Sequence, residues 1–461
     1  MTYMPRLPIT ALVLSVVIMM GTLISSPAAS WIPNVKSFPL DNGLQVVVIE
    51  NHRLPMVAQM VWYRVGSADE PPGKSGIAHM LEHMMFKGTR EVSGDEFSRL
   101  VARYGGINNA ATSYDWTIYY EIIAADQLEL IMRLEADRMR NLTFDAEAFR
   151  TEHEVVREER RSRVDNVPGA LLSEYMDAAL WGEYPYRNPI IGWSHELKSL
   201  SAEGVTSFYN RWYAPNNAVL VVAGDVHVDQ VRLLAEKYYG ILPSREVPAR
   251  IRPDGLSPWA DMVVDARHPD VQSPWWSRAY VAPSYVQPMG RATHPYALQV
   301  LASLFGEGAN GRLYRALVIE QKLAVEVEVV YSGGGLGFGT LQFLITPQEG
   351  VERSAMVAAL EAEIKRLLEE GVTSEEVKRA KSHLQIEIVY TLDSLEAVAE
   401  TVGSFISHGQ TMADVMAWPE RIAAVGPEDV MAVAQLVFGE SPRVNGFLLP
   451  VSEPVPAAMG Q

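Results

Sequence analysis

The run His79-Met80-Leu81-Glu82-His83 places two imidazoles and a carboxylate within five residues. On an α-helix, positions i and i+4 lie about 40° apart around the axis and one turn apart along it, so both imidazoles share a face. Two neutral imidazoles so placed can bind one metal ion. Imidazole favours zinc, whose open coordination position makes water acidic near neutral pH. Glu82 lies beside His83 and one turn from His79, within reach of such a water, and is the candidate general base. The chain has no cysteine and ten histidines, so thiolate nucleophiles, Cys-ligated zinc and disulfides are excluded. A further ligand must be His or carboxylate. Downstream lies TEHEVVREERR, residues 151–161, in which Glu152 and Glu159 stand seven positions apart and share a helical face. Glu158 competes with Glu159 but points about 100° away.

These groups need elements to hold them. Apolar Met80, Leu81, Met84, Met85 and Phe86 flank the motif and predict a helix over 77–86 that is buried on one side. Strand runs are expected at 43–49, 56–63, 117–123 and 218–223, the last closed by Gly224-Asp225. Helical periodicity marks 127–139 and 355–370. Pro248, Pro253 and Pro258 break both periodicities and place a linker at 248–258. On either side, 201–226 and 426–450 repeat one order of parts: an acidic helix start, an apolar helix, a turn with Pro and a strand. The expected fold class is α+β. Two related α/β-sandwich domains, 31–247 and 259–450, would each have a mixed or antiparallel sheet with helices packed on it, followed by a loose tail at 451–461.

At the N-terminus, Arg6 precedes an apolar run over 9–24 that ends in small residues near 25–30. That is the order of a signal peptide, with retention as a membrane anchor the alternative. Either way the remainder is expected outside the cytoplasm, periplasmic or secreted, and membrane-associated only through a retained anchor. Lys plus Arg number 39 against 56 Asp plus Glu, a net charge of −17, which argues against nucleic acid as a partner.

The inverted motif, the 76 positions from His83 to Glu159 and the paired glutamates resemble the pitrilysin-type inverzincin metallopeptidases, the family of insulin-degrading enzyme and mitochondrial processing peptidase. The resemblance runs through most of 35–450 and includes GGINNAATSYDWTIYY (105–120) and EYPYRNPIIG (183–192). It implies a zinc endopeptidase of peptides or unfolded segments, with one Zn2+ per chain on His79, His83 and Glu159. Glu82 would be the base, and Glu152 would orient a ligand. It also implies that Asn109, Ala110 and Ala111 form a strand edge that takes up substrate as an added strand. By its residues alone that segment reads as an ordinary strand after a Gly-Gly turn.

One departure stands out. The family's C-terminal half normally carries an Arg and a Tyr, seven residues apart, that bind the scissile carbonyl and substrate backbone. In LVIEQKLAVEV (317–327), Val318 and Val325 occupy those positions. Arg312, Tyr314 and Arg315 lie upstream but match a separate packing landmark. The resemblance therefore implies a homologous partner subunit that supplies the Arg/Tyr clamp. The alternative is a non-catalytic subunit that binds peptide or scaffolds an extracytoplasmic complex. The Gly-rich stretch 332–339 lacks a following Lys-Ser/Thr and reads as a hairpin or flexible loop. His153 is expected at the surface. His195, His227, His268, His294, His383 and His408 are isolated in sequence and carry no assignment.

Overall fold

The run Ala218–Gly224 is AVLVVAG, and every position in it is buried. A strand apolar on both faces needs cover on both sides of its sheet, and that need organises the fold. The structure is a computed structural model that describes residues 31–255, 261–306 and 308–451. The expected signal segment and nearly all of the expected tail lie outside the described residues.

The first half runs β1 (Val35–Pro39), β2 (Gln45–Glu50), β3 (Met56–Tyr63), α1 (Ile77–Met84), α2 (Glu96–Arg103), β4 (Ile107–Thr112) and β5 (Thr117–Ala124). It continues through α3 (Leu128–Asn141), α4 (Ala146–Arg160), α5 (Pro168–Trp181), α6 (Ser194–Leu197), α7 (Ala202–Trp212), β6 (Ala218–Gly224) and α8 (Val228–Tyr238). The second half runs β7 (Met262–His268), β8 (Trp275–Ala282), α9 (His294–Gly306), β9 (Ala324–Ser332) and β10 (Gly339–Pro347). Five helices follow, α10 (Arg353–Glu370), α11 (Ser374–Asp393), α12 (Leu395–Ser407), α13 (Met412–Ala424) and α14 (Pro427–Glu440), before β11 (Arg443–Pro450).

The two sheets have the orders β1-β2-β6-β3-β5-β4 and β7-β11-β8-β10-β9. In each, one parallel pair, β2 with β6 and β7 with β11, is followed by antiparallel neighbours. The second sheet thus repeats the first without its edge strand β1, and α14–β11 repeats α7–β6. This is the duplicated α/β sandwich that the matching sequence segments imply. The position of α1 is taken in the second half by α9, HPYALQVLASLFG, which has no paired histidines and no glutamate.

Period-2 alternation divides β6 between two cores. Ala218, Leu220 and Val222 pack with α1, α7 and α8 of the same half. Val219, Val221 and Ala223 face the other way, and there the cover is α12 of the second half, through Val398, Ala399, Val402 and Ile406. The exchange is mutual: α5 of the first half lays Leu172, Met176 and Leu180 on Ala279, Val281, Val444 and Leu448 of the second sheet. Each such side chain taken from water contributes about 1.5–3 kcal/mol. The approach of α12 is close enough that a Cβ on Gly403 would meet Trp62 Nε1 at 2.1 Å, so this position admits no side chain.

A buried ion network ties the interdomain strap to both halves. Arg252 donates to Asp115 Oδ1 (2.9 Å) and Asp69 Oδ1 (2.9 Å), and Arg250 pairs with both carboxylates at 3.2 Å. The other Asp115 oxygen accepts from the Tyr186 hydroxyl and from Leu336 N (2.8 Å), while Tyr186 Oη accepts from Gly337 N (2.8 Å). The Gly-rich stretch is therefore the β9–β10 hairpin, and it is pinned to the first half.

Burial would raise the Asp115 carboxyl, but Arg252 and Arg250 outweigh it and hold the group below the usual aspartate range. A depressed folded pKa gives stability that is present above the unfolded value, about 4, and lost as pH falls through the folded value. Asp115→Asn leaves Asp69 as the one carboxylate answering two buried guanidinium groups, and the uncompensated charge should cost about 3–5 kcal/mol in urea unfolding at pH 7. The gap to wild type should shrink below about pH 4. An unchanged midpoint at pH 7 would remove the network from the stability of the fold.

Candidate metal centre

Helix α1 starts where the chain can turn sharply. Gly76 has φ +86°, and a Cβ there would meet the Ile191 carbonyl oxygen at 2.6 Å. The first free N–H groups of α1 are satisfied by Glu70, which accepts from Gly76 N at 3.0 Å and Ala78 N at 2.9 Å. Ile77, Ala78, Met80, Leu81 and Met84 are buried, leaving His79, Glu82 and His83 to face a cleft. The helix ends at Met84, two residues before the expected end.

Helix α4 brings the carboxylates. Asp145 caps it by accepting from Ala148 N at 2.7 Å. Arg160 fixes its far end with a forked pair to Glu174 (2.8 and 2.9 Å) and a bond to the Gly192 carbonyl (2.7 Å). A π-helical turn, Arg161–Asp165, leads on to α5. Glu152 and Glu159 both face α1.

One oxygen of Glu159 lies 3.1 Å from His83 Nε2 and 3.7 Å from His79 Nε2. A donor atom from each of His79, His83 and Glu159 lies within 4.8 Å of the others. His83 Nδ1 is 2.8 Å from Glu152 Oε1, which commits that nitrogen to donation and leaves Nε2, 3.1 Å from Glu159, as the nitrogen that a metal ion would take in place of its proton. Glu152 is steadied in turn by Lys87. His79 Nδ1 is buried and has no hydrogen-bond partner among the described residues. Two imidazoles and a carboxylate converging on one point fit a divalent transition-metal ion such as zinc.

The electrostatics follow from burial and neighbours. Burial pulls His79 down to about 4, reinforced by His83, so it is a neutral donor. Burial would also lower His83, but its bonds to Glu152 and Glu159 outweigh this and hold it up to about 9. Burial raises Glu82 above the usual carboxylate range, opposed by a hydrogen bond from the Thr112 hydroxyl. A raised carboxyl suits a base that must take a proton and give it back near neutral pH.

Strand β4 pairs only with β5 and is the free edge of its sheet. Its exposure alternates, with Ile107, Asn109 and Ala111 outward and Asn108, Ala110 and Thr112 toward the helices. His79, Glu82, His83, Glu152, Glu159, Asn109, Ala110 and Ala111 all line one open cleft of about 880 Å³. Every residue lining this cleft lies between positions 79 and 191.

Other positions resolve differently. Glu158 is exposed and paired with Arg161, so it takes no part in the donor cluster. His153, expected at the surface, is half-buried instead. Its Nε2 lies 2.8 Å from the Leu197 carbonyl oxygen and its ring stacks on Phe149, an anchoring of α4 to α6 between elements 44 residues apart in sequence. Val318 packs on the second core and Val325 is exposed on β9, so neither offers a polar group. Arg312 is bound to Glu376 through two bonds, 2.7 and 2.8 Å, and to the Gly371 carbonyl, in keeping with a packing landmark. Thr112 and Lys87 went unassigned in the sequence. Thr112 follows a periodicity, two residues beyond Ala110 on one strand face, whereas Lys87 lies past the end of α1 and has no such signal.

Residues 45–193 match the family described as insulinase (peptidase family M16), and residues 199–384 match its peptidase M16 inactive domain. The zinc protease PqqE of Helicobacter pylori is 29% identical over 441 residues, covering 95% of this chain and 98% of that one. An uncharacterized zinc protease of Bacillus subtilis, YmxG, is 26% identical over 420 residues, 88% and 96% of the two chains. Among solved structures, a protease from Helicobacter pylori superposes with a TM-score of 0.82 at 27% identity, over 91% of this chain and all of that one. The periplasmic protease PqqL from Escherichia coli shares the fold with a TM-score of 0.77 at 19% identity, over 90% of this chain and 48% of that one.

If Glu152 fixes the tautomer and orientation of His83, Glu152→Gln should weaken zinc binding at this site about 10–100-fold while leaving the fold intact. Competition against a fluorescent chelator reads the affinity. An unchanged value would reduce Glu152 to a packing role.

Proposed function

The chain belongs to the insulinase family of peptidases, M16, and on that premise we propose that it is a zinc endopeptidase acting on peptides or unfolded polypeptide segments. The observation that carries the reading is the convergence of His79, His83 and Glu159 beside Glu82, against an unpaired sheet edge. Zinc held by these three side chains would supply Lewis acidity, which polarises a peptide carbonyl and acidifies water. Glu82 accepts the proton of the attacking water on its carboxylate and delivers it to the leaving amine nitrogen. Thr112 holds Glu82 toward the cleft, and Glu152 with Lys87 holds His83. The main chain at Asn109, Ala110 and Ala111 offers hydrogen bonds to an extended substrate, which binds with little regard to its sequence.

What the chain lacks shapes the rest of the proposal. Val318 and Val325 cannot stabilise a carbonyl oxygen, and among the described residues none of the second half lines the cleft. We assign that task to an Arg and a Tyr of a homologous subunit, with the two chains enclosing the cleft. The apolar run over 9–24 supports an extracytoplasmic location, periplasmic or secreted, or anchored if the segment is retained. The missing clamp also favours a second reading, a peptide-binding subunit without turnover.

Glu82→Gln separates the two. With wild-type activity on a quenched peptide library, the variant should lose about 100- to 10,000-fold in kcat with its metal content unchanged. Zinc binding without turnover, even beside a clamp-bearing homologue, would favour the peptide-binding subunit. Addition of a homologous chain bearing the Arg and Tyr should raise kcat about 100- to 1,000-fold. Full activity of the pure chain, unaltered by the partner, would sink the two-chain proposal.

A further inference from the structure

Among the described residues a second set of metal-ligating side chains converges away from the cleft: one donor atom each from Glu50, His52 and His227 lies within 4.8 Å of the others. Their nearness is a product of the sheet. Strands β2 and β6 are parallel neighbours, and Glu50, the last residue of β2, is in register with Gly224, the last of β6. The two chains leave the sheet side by side, carrying His52 from one and Asp225 and His227 from the other. Backbone bonds hold both exits: Asn51 N donates to the Gly224 carbonyl (2.8 Å), and Asp225 N to the Met56 carbonyl (2.9 Å).

The side chains are arranged as ligands rather than as a loose charged surface. His52 Nδ1 is 2.7 Å from Asp225 Oδ1, a partner that fixes the ring and leaves Nε2 with its lone pair. The His52 and His227 rings are 4.9 Å apart between centroids. Glu50 is held by Val228 N, which donates to its Oε1 at 2.7 Å, and His227 Nδ1 lies 4.0 Å from the same oxygen. Two imidazoles and a carboxylate, with a carboxylate behind one imidazole, form a donor set suited to zinc, nickel or copper ions and too nitrogen-rich for magnesium or calcium.

We propose that Glu50, His52 and His227, oriented by Asp225, form a second binding site for a divalent transition-metal ion, separate from the cleft. The site joins the β2–β3 and β6–α8 connections. It lies at the Gly224 end of the sheet, whereas Thr112 lies in the rows of Tyr63 and Ala218 at the opposite end, a strand length of roughly 20 Å away. Its ligands are half-exposed to exposed apart from Glu50, so its ion exchanges more readily than one held in the cleft.

The test is metal stoichiometry of the full chain dialysed against Zn2+ alone. Wild type should hold two equivalents. The double variant His52→Ala/His227→Ala should hold one, as should His79→Ala/His83→Ala, and the second of these should still gain thermal stability on adding Zn2+. Asp225→Asn keeps every donor and guards against misfolding in the double variant. It should weaken the second equivalent about 10–100-fold and leave the first unchanged. A single equivalent in wild type that the His52/His227 double variant retains overturns the proposal, as does a second equivalent whose affinity is unchanged from wild type in both that variant and Asp225→Asn.

Discussion

Two sheets with apolar residues on both faces cannot each be covered by the helices of their own half. The fold meets this constraint by exchange: α12 covers the outer face of the first sheet and α5 the outer face of the second. The remaining features depend on it. Helix α4, which carries Glu152 and Glu159, runs through a π-helical turn into α5, and α5 is seated on the second sheet. The angle at which Glu159 meets the two histidines is therefore referred to the second half of the chain, although no residue of that half lines the cleft. Duplication supplied the scaffold twice, and the chemistry was built on one copy.

The centre itself uses opposed electrostatic effects in a small space. Burial makes His79 a neutral donor, while two carboxylates hold His83 in its cationic form. A divalent metal ion held by Nε2 of His83 would stand where that proton stands, its additional positive charge answered by Glu159 beside it. Glu82 sits outside this exchange, tied to Thr112 on the substrate edge rather than to the ligands. The proposed base and the proposed metal ligands are thus supported from different elements, β4 for the one and α4 for the others.

Much of this was legible in the sequence because it is local or periodic. The spacing of His79, Glu82 and His83 gives one helical face, and the seven-residue spacing of Glu152 and Glu159 gives another. The repeated order of parts in 201–226 and 426–450 foretold the matching sheets. Illegible were the contacts made by chain segments far apart in sequence. His153 looked like a surface residue because its partner, the Leu197 carbonyl, follows 44 positions later. His227 looked isolated because only the parallel pairing of β2 and β6 brings it to His52. The exchange of α5 and α12 has no local signal, since an amphipathic helix does not declare which sheet it will cover. Asp115 is similar: alone it is one acid in a strand turn, and only the strap with Arg250 and Arg252 gives it charges to answer.

The exchange of helices also sets a condition on synthesis. Leu395, the first residue of α12, follows the end of β6 by about 170 residues. At about 5–20 residues per second, a ribosome needs on the order of ten to thirty seconds to cover that distance. A first sheet that formed before α12 arrived would hold Val219, Val221, Met60 and Trp62 open to water on its outer face. Such a face is adhesive until α12, in about the last seventh of the chain, arrives to cover it, and the centre of His79, His83 and Glu159 gains its final geometry only when α5 finds the second sheet.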